Sequence, residues 1–89
     1  MKFDFNDEKN TLLLQKRGIT FQSVIKAINK KGILTDFKHP NEVKYPNQRI
    51  FVVEVDGYTY CVPYIEDGDI IFMKTIFPNR KFMKLLETK

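Results

Sequence analysis

Arg49-Ile50-Phe51-Val52-Val53-Glu54-Val55-Asp56-Gly57-Tyr58-Thr59-Tyr60-Cys61-Val62 decides the fold of this chain. Two runs rich in β-branched and aromatic residues flank Asp56-Gly57, a dipeptide favoured in two-residue hairpin loops because it tolerates positive φ. With Asp56-Gly57 as the loop, Val55 opposes Tyr58 and Arg49 opposes Tyr64. Gln48 to Val55 and Tyr58 to Ile65 therefore read as the first two strands of a meander. Pro63, with no N–H to donate, restricts the pairing of the second strand. Glu66-Asp67-Gly68-Asp69 holds the next turn. With Asp67-Gly68 as its loop, Tyr64 opposes Ile71 and Cys61 opposes Lys74. The third strand then runs from Ile70 to Phe77, and Pro78 stops it.

Period-two alternation sorts the meander into two faces. One carries Arg49, Phe51, Val53, Val55, Tyr58, Tyr60, Val62, Tyr64, Ile71, Met73, Thr75 and Phe77. The other carries Ile50, Val52, Glu54, Thr59, Cys61, Pro63, Ile65, Ile70, Phe72, Lys74 and Ile76. Both are too apolar for open water, so each needs a cover.

The N-terminal half supplies cover for one face. Phe3 and Phe5 flank Asp4 as a short arm or edge strand. Asn6 is suited to cap a helix over about Asp7 to Arg17, with Asp7 and Glu8 at its start, Lys16-Arg17 at its end and Gly18 beyond. Thr20 caps a second helix, and Ile19 and Val24 are spaced as a hydrophobic staple. Phe21, Val24, Ile25 and Ile28 form its buried stripe. Lys30-Lys31-Gly32 ends it, and Ile33 to Phe37 reads as a short strand. Lys38 to Asn47 is a loop, marked by His39-Pro40-Asn41 and Tyr45-Pro46-Asn47. About Asn79 to Glu87 forms a last helix. The expected fold is one α+β domain over residues 1–89. Two N-terminal helices pack on a twisted antiparallel sheet of about four strands, followed by a C-terminal helix. These helices cover one face well, and a partner chain is one candidate cover for the other.

The composition fits a globular domain: 43% of residues are hydrophobic, too many for a disordered chain. The single cysteine, Cys61, excludes an internal disulfide and agrees with a reducing, cytoplasmic setting. No apolar run approaches the ~18 residues of a membrane span, and the opening residues do not read as a signal peptide. The net charge is +4, and residues 74 to 89 hold five basic side chains against one acidic, so that segment carries the whole excess. A basic cluster of this kind suits a polyanion, although a solvated helix face or a helix C-terminus also accounts for it.

Several chemistries lack their residues. One histidine and one cysteine make no metal set, and no cofactor motif or glycine-rich phosphate loop is present. Ser23, the single serine, falls inside a helix, away from any nucleophile motif. What remains is a set of cations and phenols suited to a phosphodiester. Arg49, Lys74, Arg80 and Lys81 can hold phosphate and neutralise a transition state. Tyr58, Tyr60 and Tyr64 can stack on unpaired bases, with Lys84 adding charge. His39 is a candidate acid or base, or simply an exposed loop histidine. RNA cleavage needs no metal when the 2′-hydroxyl is the nucleophile.

Four stretches resemble the BrnT toxins, a branch of the RelE-like ribonuclease toxins of bacterial type II toxin–antitoxin systems. They are Phe3-Asp4-Phe5-Asn6-Asp7-Glu8-Lys9, Arg17-Gly18-Ile19-Thr20-Phe21, Gln48-Arg49-Ile50-Phe51 and Pro78-Asn79-Arg80-Lys81. Their order and spacing match the family over nearly the whole chain. The chain departs from the family where Leu13 replaces a usual asparagine, Arg17 a frequent histidine and Pro78 a common serine. The resemblance implies a compact toxin that inhibits translation by metal-independent cleavage of mRNA, free or on the ribosome. It implies neutralisation by a cognate antitoxin, as a homodimer or in a hetero-oligomer with that antitoxin. By matching position, Arg49, Arg80 and Lys81 become its basic active-site candidates. Lys74 and His39 join them on chemical grounds alone. A non-catalytic RNA- or partner-binding module is the alternative that the same residues allow.

Overall fold

The computed structural model of the protein describes residues 2–87, so Lys89 of the basic segment lies outside the described residues. The element order is β1 (Lys2–Asp4), α1 (Asp7–Arg17), α2 (Phe21–Lys31), β2 (Thr35–Lys38), β3 (Arg49–Val55), β4 (Tyr58–Asp67), β5 (Ile70–Met73) and β6 (Phe77–Pro78). A 3₁₀ helix over Arg80–Leu86 follows. The protein is α+β. The sheet has six strands rather than about four, in the order β1-β5-β4-β3-β2 with β6 on β4. It is mixed rather than antiparallel, because β1 runs parallel to β5, with Phe3 beside Ile71.

Local chemistry sets the helix ends. The Asn6 side chain accepts from the Lys9 N–H at 2.9 Å, and the Thr20 hydroxyl accepts from the Ser23 N–H at 3.1 Å. Each satisfies an N–H that the first turn leaves without a partner. Gly18 closes α1 in the left-handed region at φ 68° and donates to the Leu14 carbonyl, where a Cβ would cost energy. The two helices are clamped through Asn10, whose Oδ1 accepts from the Phe21 N–H at 2.7 Å. Its Nδ2 donates to the Gln22 side chain, also at 2.7 Å.

The main core lies between the helices and one sheet face. Leu13, Ile19, Phe21 and Val24 meet Phe51, Val53, Val62, Tyr64, Ile71, Met73 and Ile76. Phe5 stacks on Phe21 with ring centroids 4.9 Å apart. The opposite face carries a smaller core of Ile50, Val52 and Cys61, against which Leu34, Phe37, Phe77 and Phe82 pack. Phe82 stacks on Phe37 at 5.7 Å. The chain's own C-terminal segment thus covers part of the face for which the sequence suggested a partner.

The β3–β4 register is the expected one, with Val55 opposite Tyr58 and Arg49 opposite Tyr64. The β4–β5 register is offset by two residues. Tyr64 faces Met73, and Asp67 faces Ile70, so Gly68-Asp69 forms the loop. A shift of two preserves the faces. The next irregularity does not. The third strand is interrupted after Met73, and β6 resumes with Cys61 opposite Phe77 and Tyr60 opposite Pro78, which leaves one extra residue in Lys74–Ile76. The bulge exchanges the last two side chains. Ile76 enters the helix-side core and Phe77 the opposite one, the reverse of the alternation. Two hydrogen bonds hold it: the Lys74 N–H donates to the Pro63 carbonyl at 2.7 Å, and the Arg17 guanidinium donates to the Ile76 carbonyl.

Candidate nucleic-acid interface

The positions singled out by charge and aromaticity divide into two groups at opposite ends of β4. Arg49 and Tyr64 face each other at one end. The Lys74 backbone bonds to Pro63 there, and His39 follows β2, bonded through its N–H to the Gln48 carbonyl at 3.1 Å. At the other end, the Asn79 N–H donates to the Thr59 carbonyl at 3.0 Å, and the Thr59 hydroxyl donates to the Asn79 carbonyl at 2.7 Å. Arg80 and Lys81 emerge directly after that anchor. Thr59 and Tyr64 are five positions apart on one strand, about 17 Å at ~3.3 Å per residue. Arg49 and the Arg80–Lys81 pair thus leave the sheet at different points along β4, with Lys74 and His39 toward the Arg49 side.

At the first end, Arg49 is held by Asp36. Its Nε donates to Asp36 Oδ1 at 2.7 Å, and a second guanidinium nitrogen lies 2.7 Å from the same oxygen. The Tyr64 hydroxyl donates to the other carboxylate oxygen, Asp36 Oδ2. These side chains meet because β2 lies antiparallel to β3, with Asp36 beside Phe51 and Lys38 beside Arg49. The hydrogen bonds to Asp36 and Tyr64 raise the Arg49 pKa, so its charge is permanent. Burial raises the Tyr64 phenol to about 12, with the Asp36 hydrogen bond acting in the same direction and Arg49 opposing it. Tyr64 is only 5% exposed and is a poor proton acceptor. Asp36, Tyr64 and Glu66 line a recess of about 90 Å³ with Phe3, Ile33, Phe51 and Ile71. Asp36 is the residue that sequence reasoning missed.

His39 is occupied within its own loop. Its Nδ1 accepts from the Asn41 N–H at 3.1 Å, and its ring lies 4.5 Å from that of Tyr45. Lys74 is exposed, with its ammonium 5.2 Å from the Phe72 ring centroid.

At the second end, Tyr58 and Tyr60 make an edge-to-face pair at 5.9 Å, both half-buried. The Asn79 side chain accepts from the Lys81 N–H at 2.9 Å, which sets the first turn of the 3₁₀ helix. Arg80, Lys81 and Lys84 are exposed on that helix. Arg80 and Lys81 have no ion-pair partner among the described residues. The expected C-terminal helix is a 3₁₀ helix with its cations on tight turns, and its Phe82 packs on the sheet face opposite the one that Tyr60 joins. The exposed cations can hold a phosphodiester. Among the described residues no group of three or more His, Cys, Asp or Glu side chains is gathered as metal ligands. No helix among them is long and apolar enough to cross a membrane.

Comparison of the chain with family models, curated proteins and solved structures found no match.

Proposed function

We propose that this chain is the toxin of a type II toxin–antitoxin system. In this reading it is a RelE-like, BrnT-type endoribonuclease that cleaves mRNA without a metal, acts in the cytoplasm and is neutralised by a cognate antitoxin. The observation that carries the reading is the exposed start of the 3₁₀ helix. Arg80 and Lys81 leave the sheet together directly after the β6–β4 pairing, exposed and without ion-pair partners among the described residues. The family resemblance points independently to the same Pro78-Asn79-Arg80-Lys81 stretch.

The reaction is a transesterification. The RNA 2′-oxygen attacks the adjacent phosphorus, the bond to the 5′-oxygen breaks, and a 2′,3′-cyclic phosphate and a 5′-hydroxyl result. One proton leaves the 2′-hydroxyl and one reaches the 5′-oxygen. Arg80 and Lys81 offset the negative charge that grows on the phosphoryl oxygens. In this reading Tyr58 and Tyr60 stack a base. Arg49, held by Asp36, serves as a phosphate anchor farther along the strand.

A second reading, an RNA-binding module without turnover, is favoured by the position of His39 at the far end of β4 and by its bond to Asn41. Induced expression in a bacterial host separates the two. The toxin reading expects growth arrest and RNA fragments ending in cyclic phosphate, both relieved by Arg80→Ala. Wild-type expression with neither growth defect nor cleavage sinks it.

A further inference from the structure

A groove larger than the Asp36 recess lies away from the Arg80 turn. It lies between the C-terminal half of α2 and the β3–β4 hairpin, with a volume of about 380 Å³. Lys26, Lys30 and Lys31 form its helical rim, and Glu54, Asp56 and Gly57 its hairpin rim. Its charges are unequally engaged. Lys31 is bound to Glu54 at 2.8 Å. Lys26 and Lys30, both exposed, have no ion-pair partner among the described residues. They stand four residues apart, one above the other on the helix, where like charges repel. Placing two cations there costs helix stability, and an anion between them removes the cost. Asp56, on the hairpin rim, holds a left-handed turn conformation, φ 51°.

We infer that this groove binds one ribonucleotide of an RNA strand, with its phosphate between Lys26 and Lys30 and its 2′-hydroxyl donating to Asp56. The inference rests on the RNA-cleaving reading and extends it with a subsite that this reading does not contain. The mixed charge selects the ligand. A bare polyanion would meet Asp56 and the Lys31-bound Glu54 on the opposite rim. A nucleotide brings an anion for one rim and a hydrogen-bond donor for the other, and the 2′-hydroxyl is the group that separates RNA from DNA. The hairpin rim of the groove ends at Gly57, one residue before the β4 strand on which the Arg80 turn is anchored. Asp56-Gly57 leads directly into Tyr58, and Arg80 follows the Thr59–Asn79 anchor.

The test is an amide chemical-shift titration of the whole chain with 5′-phosphorylated diuridylate, its deoxy counterpart, inorganic phosphate and a hexaglutamate peptide. The expected result is saturable shifts at Lys26, Lys30 and Gly57 with the diuridylate, at least several-fold weaker with each of the other three. Equal binding of inorganic phosphate, of the deoxy dinucleotide or of the peptide overturns the inference, the last in favour of an acidic protein partner. The Lys26→Gln/Lys30→Gln variant should lose one phosphate contact. The slope of log affinity against log salt for single-stranded RNA then becomes shallower by roughly 0.7, or about fivefold in affinity per decade of salt. An unchanged slope overturns the inference even where RNA is cut. Conversely, groove shifts in a protein that cuts no RNA would leave the subsite standing and remove the endonuclease reading.

Discussion

The Tyr64 phenol offers a direct measure of the Asp36–Tyr64–Arg49 cluster. Burial and the bond to Asp36 raise its pKa from 10.0 to about 12, because both favour the protonated form. A group whose pKa is higher folded than unfolded contributes stability that is complete below the unfolded value and lost as pH rises toward the folded one. The relevant window is therefore about pH 10 to 12. At pH 11 an unfolded-state tyrosine is about ten parts ionised to one neutral, while folded Tyr64 is about ten parts neutral to one ionised. The difference is on the order of 1.4 kcal/mol, a factor of about ten. Urea unfolding of wild type and Tyr64→Phe at pH 8 and pH 11 isolates it, since every other titrating group is common to both. Wild type should lose about 1.4 kcal/mol more than the variant between the two pH values. The phenolate absorbance missing from the variant should appear in the wild-type difference spectrum with a midpoint near 12. A midpoint near 10, or equal losses of stability, refutes the buried, carboxylate-bonded phenol.

Three further outcomes follow from the packing. Phe82→Ala removes the ring stacked on Phe37 and should cost about 2 kcal/mol in chemical denaturation, as expected for a partly buried phenyl group. A loss below about 0.5 kcal/mol would mean that the 3₁₀ helix does not cover the second face. Gly18→Ala meets no atom within 4 Å but must hold φ 68°, so it should cost about 1–2 kcal/mol from backbone strain alone. The Cys61 thiol is buried and its pKa raised by that burial. A thiol reagent at pH 8 should therefore label the native protein many-fold more slowly than the urea-unfolded chain, and comparable rates would contradict the burial.

The helices were legible because their ends depend on neighbours in sequence. Asn6, Gly18 and Thr20 act within a few residues of themselves, and α1 keeps its expected bounds. The β3–β4 pairing was legible because Asp56-Gly57 fixes it locally. The β4–β5 loop was not, because Asp67-Gly68 and Gly68-Asp69 are both acceptable two-residue turns and the resulting faces are identical. The bulge at Lys74–Ile76 was invisible for a different reason. It is held by the Pro63 carbonyl and by Arg17, partners 11 and 59 positions away, and no local pattern announces them. The candidate site fared likewise. Arg49 and Tyr64 were recognised as types, but their shared partner Asp36 depends on the β2–β3 register across a loop of undetermined shape. Distance along β4, which separates Arg49 from Arg80, is a tertiary quantity that composition does not carry.

The parallel pairing of β1 with β5 constrains the order in which the molecule can be completed. The strand made first lies beside Ile70 to Phe72. At ~5–20 residues per second, roughly 3–14 s of synthesis separate the two partners. Throughout that interval α1 and α2 can form, while β1 presents unpaired backbone groups next to Phe3 and Phe5. Its pairing closes a loop of most of the chain, a step whose entropy is lost before contacts repay it. Closure of β1 on β5 is therefore expected to be a late, long-range step at the sheet's edge, and chaperone dependence should track β1 rather than the helices.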